Sequence, residues 1–235
     1  MKIHRFLGDF DFSAKVIKTS DREQINQFKN VLRLSVGDTV ALLDGNGHEA
    51  RATVKELHKD LAEFAIEEVI ILDNEPVREV TLYCAILKRE NFELVAQKAT
   101  EIGVKEIVPI ITKRTIKTGL NQERLKKIIR EAVEQSGRGI IPEIHEALDL
   151  EEAIKHASAD NKNNFLFDIS GEAWSNQIVG SSGEKIGIFI GPEGGWEAGE
   201  IEMAKNNGFH IAKLGGLTLR GETAAIVASY LACQN

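Results

Sequence analysis

The stretch Ile186–Ala224 reads IGIFIGPEGGWEAGEIEMAKNNGFHIAKLGGLTLRGETA. Its apolar opening, Ile186–Ile190, predicts a strand that ends at Gly191-Pro192-Glu193-Gly194-Gly195, with a helix from about Glu197 to Asn207. A second apolar run, Ile211–Leu214, leads into the loop Leu214–Thr223 and a last helix over about Glu222–Ala232. Open α/β sheets bind ligands beyond the carboxyl ends of their strands. Three glycines in five residues let a ligand lie directly on the backbone. Glu197 and Glu200 fall in a first helical turn, where the helix dipole favours acidic groups. Spacing alone leaves a second reading open, a tight strand-to-helix turn with no ligand. Core packing likewise stays open for Leu217 and Leu219, and a surface pair for Arg220 and Glu222.

Upstream, the same alternation holds. Apolar runs at Val80–Leu87, Ile107–Ile111 and Phe165–Phe167 are separated by expected helices at about Asn91–Ile102 and Gln122–Ser136. Strands alternating with amphipathic helices predict a parallel sheet with helices on both faces. Ser181-Ser182-Gly183 reads as a loop. Further back the pattern changes. Val40–Leu43, Arg51–Leu57 and Ala62–Ile71 are β-rich, and Asp44-Gly45-Asn46-Gly47 is a strong hairpin signal. One helix is expected from about Asp21 to Arg33, capped by Ser20 or Asp21. These features predict a small β-barrel-like module. The polar, proline-bearing segment Asp73-Asn74-Glu75-Pro76 marks the boundary, giving domains 1–73 and 74–235.

The 235-residue chain is 43% hydrophobic and 28% charged, ordinary values for a globular protein. No apolar run reaches the ~18 residues of a membrane helix. The opening MKIHRFLGDF places His4, Arg5 and Asp9 where an export signal would be apolar. Cys84 and Cys233 are far apart with no CxxC spacing, so neither zinc nor a disulfide framework is expected. A cytoplasmic chain without a resident metal follows. The net charge of −7 hides an asymmetry. Lys88–Arg138 carries 12 Lys and Arg against 7 Asp and Glu, whereas Gly139–Asn235 carries 6 against 14. That asymmetry can place a basic face on an acidic protein, although Lys and Arg that merely solvate helices explain it too. There is no GxxxxGK[ST] and no GxGxxG after a first strand, so neither a Walker NTPase nor a Rossmann dinucleotide site is supported. Gln97–Gly103 and Glu131–Arg138 each end on or near a glycine and, alone, read as helix C-caps.

Several segments in fixed order carry a resemblance. They are Val31–Leu34 with Val36-Gly37-Asp38, Asp44–Gly47, Gln97–Val104, Glu134–Arg138 with Ile141-Pro142, Ile190–Gly195, and Leu219-Arg220 with Glu222-Thr223-Ala224. In these the chain resembles the RsmE family, the 16S ribosomal RNA (uracil-N3) methyltransferases of the SPOUT superfamily. It departs from the family's usual residues at Gly216, Leu217 and Thr218, at Gly221, and at Trp196 and Glu197, while the glycine framework is intact.

The resemblance implies an N-terminal PUA-like barrel and a C-terminal SPOUT domain whose backbone forms a trefoil knot, a topology sequence rules alone would not propose. It implies S-adenosylmethionine held in a bent conformation by Leu166, Phe167, Gly191, Pro192, Glu193, Gly194, Gly195, Leu214, Gly215, Leu217, Leu219 and Thr223. Arg220 is the candidate to stabilise the uridine anion or hold a phosphate, with Glu222 orienting it. Arg5, Arg33, Lys88, Arg89, Arg114 and Arg138 are the candidate RNA contacts, and Arg138 is also a weaker candidate for the anion role. The implied partners are 16S rRNA, free or within the small subunit, and a second copy of the chain. The apolar last helix, uncharged from Thr223 to Asn235, is placed at that interface. His4 is a possible RNA contact, and no histidine stands out as a base. A SPOUT enzyme acting on tRNA or a ribose 2′-hydroxyl, and a non-catalytic RNA binder of the same fold, are the competing readings.

Overall fold

A computed structural model describes residues 3–116, 118–174 and 184–234, with Arg89 described by its backbone. The loop expected at Ser181–Gly183 lies outside the described residues. The chain divides into two compact units, residues 1–75 with 133–141, and residues 76–132 with 142–235.

The first unit holds a five-stranded sheet in the order β1-β3-β4-β5-β2. Its strands are β1 (His4–Leu7), β2 (Val16–Thr19), β3 (Thr39–Leu43), β4 (His48–Leu57) and β5 (Ala62–Ile71). β1 runs parallel to β3 and every other pair is antiparallel. Register shifts interrupt the β4–β5 ladder at Arg51/Ala52 and Val54/Glu56, as bulges that bend long strands do. Among the described residues no ladder joins β1 to β2, so the sheet has one open seam. The helix expected over residues 21–33 is a short α1 (Arg22–Asn26) that continues as a π-helical turn, Gln27–Val31. The Asp21 carboxylate caps it by accepting from the Glu23 and Gln24 amides. Phe6, Phe28 and Phe64 pack edge to face in the core of this unit.

Residues 133–141 belong to the first unit although they follow far later in the chain. The Glu134 carboxylate accepts from the Leu7 amide at 3.0 Å. Arg138 is buried against Glu75, with Nε 2.9 Å from both carboxylate oxygens.

The second unit is a parallel sheet in the order β12-β10-β11-β6-β7-β8. Its strands are β6 (Glu79–Ala85), β7 (Glu106–Ile111), β8 (Glu143–Ile144), β10 (Asn163–Ala173), β11 (Lys185–Ile190) and β12 (His210–Lys213), and a two-residue β9 (Leu148–Asp149) also pairs with β7. Every ladder is parallel. The central strands β6 and β11 are buried along almost their whole length, which is why they read as continuous apolar runs. The helices are α2 (Arg89–Ile102), α3 (Gln122–Ser136), α4 (Leu150–Asp160), α5 (Ala198–Asn206) and α6 (Gly221–Cys233). Two apolar layers form. One gathers residues of α2, α3 and α6 with Leu82, Ile188 and Phe165, the other residues of α4 and α5 with Tyr83, Phe189 and Leu166. Gly103 caps α2 with φ 105°, and an added Cβ there would lie 2.3 Å from Pro76. Among the described residues no helix is long and apolar enough to cross a membrane.

Candidate cofactor cleft and active site

β11 ends at Ile190, and the next five residues turn back before α5. The Gly195 amide donates to the Pro192 carbonyl at 2.9 Å, closing the turn, and Gly195 has φ 69°, a region where a side chain is strained. A Cβ on Gly191 would touch the Trp196 ring at 3.0 Å. Trp196 is buried and donates its indole N–H to the Phe167 carbonyl at 2.9 Å, which ties this loop to the middle of β10. At the start of α6, a Cβ on Gly221 would lie 2.9 Å from Leu87. Gly191 therefore makes room for the Trp196 ring, and Gly221 for Leu87 just beyond β6.

Between them lies a cleft of about 750 Å³ at the carboxyl ends of the strands. Of the residues implied for the cofactor, Phe167, Gly191, Pro192, Glu193, Gly194, Gly195, Leu214, Gly215, Leu217 and Leu219 line it. Leu166 is fully buried in the opposite apolar layer and Thr223 is exposed; neither lines the cleft. Asn91, Asp168, Ile169 and Lys213 do line it and were not singled out in the sequence. Asp168 and Ile169 directly follow Phe167 in β10, which runs on to Ala173, past the expected run Phe165–Phe167. Leu217 is 83% exposed and Leu219 38%, so neither is core. Exposed leucines on a glycine loop form an apolar wall that a ligand can cover.

Arg220 and Glu222 both line the cleft, but among the described residues no ion pair joins them, so Glu222 does not orient Arg220 in this geometry. Oε2 of Glu222 is out of contact with water and has no donor among the described residues. The other two carboxylates of the cleft are engaged. Asp168 accepts from the Ser170 amide at 2.9 Å, and Glu193 from the Lys88 amide at 3.2 Å. Cys84 lies behind the site; burial, with a smaller push from Glu193, raises its thiol far above the ordinary range, so it is no nucleophile.

The basic residues divide between the units. Lys88 lines the cleft and Arg114 is exposed beside it, its Nη1 donating to the Gly194 carbonyl at 2.7 Å. The Arg89 side chain lies outside the described residues. In the first unit, Arg5 pairs with Glu49 at 2.8 Å and Arg33 is exposed, with φ 55°. Arg138 is a correction. It is 5% exposed and its guanidinium is committed to Glu75, so it anchors residues 133–141 and offers no surface to a phosphate or a uridine. Among the described residues no group of three or more His, Cys, Asp or Glu is placed to hold a metal.

The model of the RNA methyltransferase domain matches residues 73–232, and that of the RNA methyltransferase PUA domain matches residues 19–67. A methyltransferase of Legionella pneumophila, solved with the cofactor SAM bound, superposes with a TM-score of 0.90 at 28% identity, over 99% of this chain and 97% of its own. A ribosomal RNA small subunit methyltransferase E of Neisseria gonorrhoeae, solved bound to S-adenosyl methionine, also gives 0.90 at 28% identity, over 98% and 96%. The fold and the glycine-walled cleft thus define an RNA methyltransferase built on a parallel α/β sheet with a PUA domain before it. A ribosomal RNA small subunit methyltransferase E of Rickettsia conorii is 32% identical over 92% of this chain and 88% of its own length. The chain belongs to the ribosomal RNA small subunit methyltransferase E family.

Proposed function

We propose that the protein methylates N3 of a uridine in 16S rRNA, with S-adenosylmethionine as methyl donor. The observation that carries this reading is the cleft, where two glycine loops and the exposed Leu217 and Leu219 meet an exposed arginine and a carboxylate with an unshared oxygen. The fit to the cofactor is specific. Backbone-walled loops suit a flat adenine, exposed leucines suit its apolar faces, and three carboxylates suit a cationic ligand. Phe167, Gly191–Gly195, Leu214, Gly215, Leu217 and Leu219 would hold it. When bound, it supplies an electrophilic methyl group on a sulfonium.

The chain's own residues position and deprotonate. For N3 to take up that methyl group its proton must leave, so a proton acceptor has to stand beside it. Arg220, exposed at the cleft, stabilises negative charge developing on a uracil carbonyl. Glu222 supplies the acceptor. N3 is hidden in paired RNA, so the base enters unpaired or flipped. Arg5, Arg33 and Lys88 are the basic groups that can meet RNA phosphates.

The same reading carries a trefoil knot, supported by a chain path that leaves the sheet at edge strand β12 and returns through α6 to β6 and β11. It also carries a homodimer, supported by α6, where Tyr230 is 54% exposed on a helix uncharged from Thr223 onward. The enzyme is placed in the cytoplasm with its RNA. Calorimetric titration with S-adenosylmethionine tests the reading. Saturable one-to-one binding per chain, lost when Leu217 and Leu219 are both changed to Asp, is expected; absence of binding by the unaltered chain overturns it.

A further inference from the structure

We propose that Arg114 is a positioning residue that holds the glycine loop 191–195 in its binding shape, so that its loss weakens the cofactor rather than the RNA. This rests on the reading of the cleft as the S-adenosylmethionine site. Glycine has more conformational freedom to lose than any other residue, so a ligand that must order a loop with three glycines in five residues binds more weakly. Here the order is imposed from outside, by the segment that follows β7.

That segment is itself stiff. The Thr115 hydroxyl accepts from the Thr112 amide at 2.9 Å and lies 3.0 Å from the Thr112 hydroxyl. The next amide, of Lys113, donates at 2.9 Å to Oε1 of Glu200. Glu200 is only 5% exposed, and its Oε2 accepts from the Glu197 amide at 2.7 Å, so one buried carboxylate joins this segment to the start of α5. Arg114 then reaches the loop, where Nη1 donates to the Gly194 carbonyl at 2.7 Å. The Arg114 stem also fills the space that a side chain on Gly194 would take. A Cβ there would lie 3.3 Å from the Arg114 Cβ and 3.4 Å from its Cδ. Gly194 is thus needed less for a ligand than for this arginine. The longer approach of Arg114 Nε to Glu197, 3.8 Å between half-exposed groups, adds little.

The test compares the full chain with Arg114→Ala, Arg114→Met and Arg114→Lys, titrating S-adenosylmethionine alone and, separately, a 16S rRNA transcript. Losing a charged donor to a carbonyl should raise the cofactor Kd by about tenfold in the Ala and Met variants. Lys, which keeps a donor and the stem, should recover part of that. RNA affinity should fall less than twofold, and the loss in turnover should fall on KM for the cofactor more than on kcat. Thermal unfolding of each variant confirms that it is folded, and Met, which keeps the stem, serves if Ala does not fold. A cofactor Kd unchanged in folded Arg114→Met, or a loss confined to RNA affinity, overturns the proposal. Failure of the unaltered chain to bind S-adenosylmethionine overturns the underlying reading instead.

Discussion

Gly194 and Arg138 show what a single residue's neighbours add to its letter. The glycines of the loop were legible as places where backbone must be bare. What Gly194 makes room for was not, because the Arg114 stem comes from a segment 80 residues earlier. We expect Gly194→Val to abolish S-adenosylmethionine binding in a folded protein, because its branched side chain would displace that stem; calorimetry with an unfolding curve checks both halves. For Arg138 the sequence reports a charge and not its burial. Its 6% exposed side chain on the Glu75 carboxylate makes it structural. Arg138→Met leaves that carboxylate without its partner and should cost about 3 kcal/mol of stability, measured by denaturant unfolding.

At the scale of elements, β6, β7, β10, β11 and β12 and the helices α2, α3, α5 and α6 were legible from period and apolar runs. Helix α4 was not singled out, although Asp149 and Glu152 form a capping box at its start, a signature present in the sequence. The two-residue β8 and β9 leave no pattern at all. Both run parallel to β7, and next to them the His145 ring meets the Glu106 carboxylate at 3.0 Å. That hydrogen bond raises the His145 pKa above the ordinary histidine value and holds the Glu106 carboxyl below its own. The His145 contribution to stability is complete at about pH 6 and lost as pH rises through the raised value, while that of Glu106 is lost only in acid. Stability should therefore fall as pH rises from the ordinary histidine value through the raised one, and by less in His145→Gln; equal falls in both proteins would refute the link. Along α6, the apolar composition was legible but not its faces. Ala225, Ala228 and Ala232 are buried by the chain itself, leaving Ile226, Val227 and Tyr230 partly open. A dimer through that open face should be split by Ile226→Asp and not by a change at the buried alanines that preserves packing. Sedimentation equilibrium should give twice the 26.0 kDa chain mass before the change and the single mass after it.

For the whole molecule, the change from short strands to strand–helix alternation was legible, as was the proline-bearing junction near Pro76. The return of residues 133–141 to the first unit was not, because it depends on contacts such as Glu134 with Leu7 and Arg138 with Glu75, which no local pattern encodes. The sheet order, with the last strand β12 at one edge and β6 in the middle, likewise lies beyond periodicity, and it is this order that brings the two glycine loops to one cleft on either side of β10. The resemblance to a family supplied what local physics could not, namely the cofactor and the RNA target. The most direct measurement is methyl transfer itself. The purified protein, S-adenosylmethionine carrying a labelled methyl group, and 16S rRNA or small subunits from a strain lacking the gene are incubated, and the product is digested and mapped by mass spectrometry. One labelled nucleotide is expected, a uridine methylated at N3, and it should be lost in Arg220→Ala. Label on a ribose 2′-hydroxyl, on another base, or on no RNA at all would contradict it.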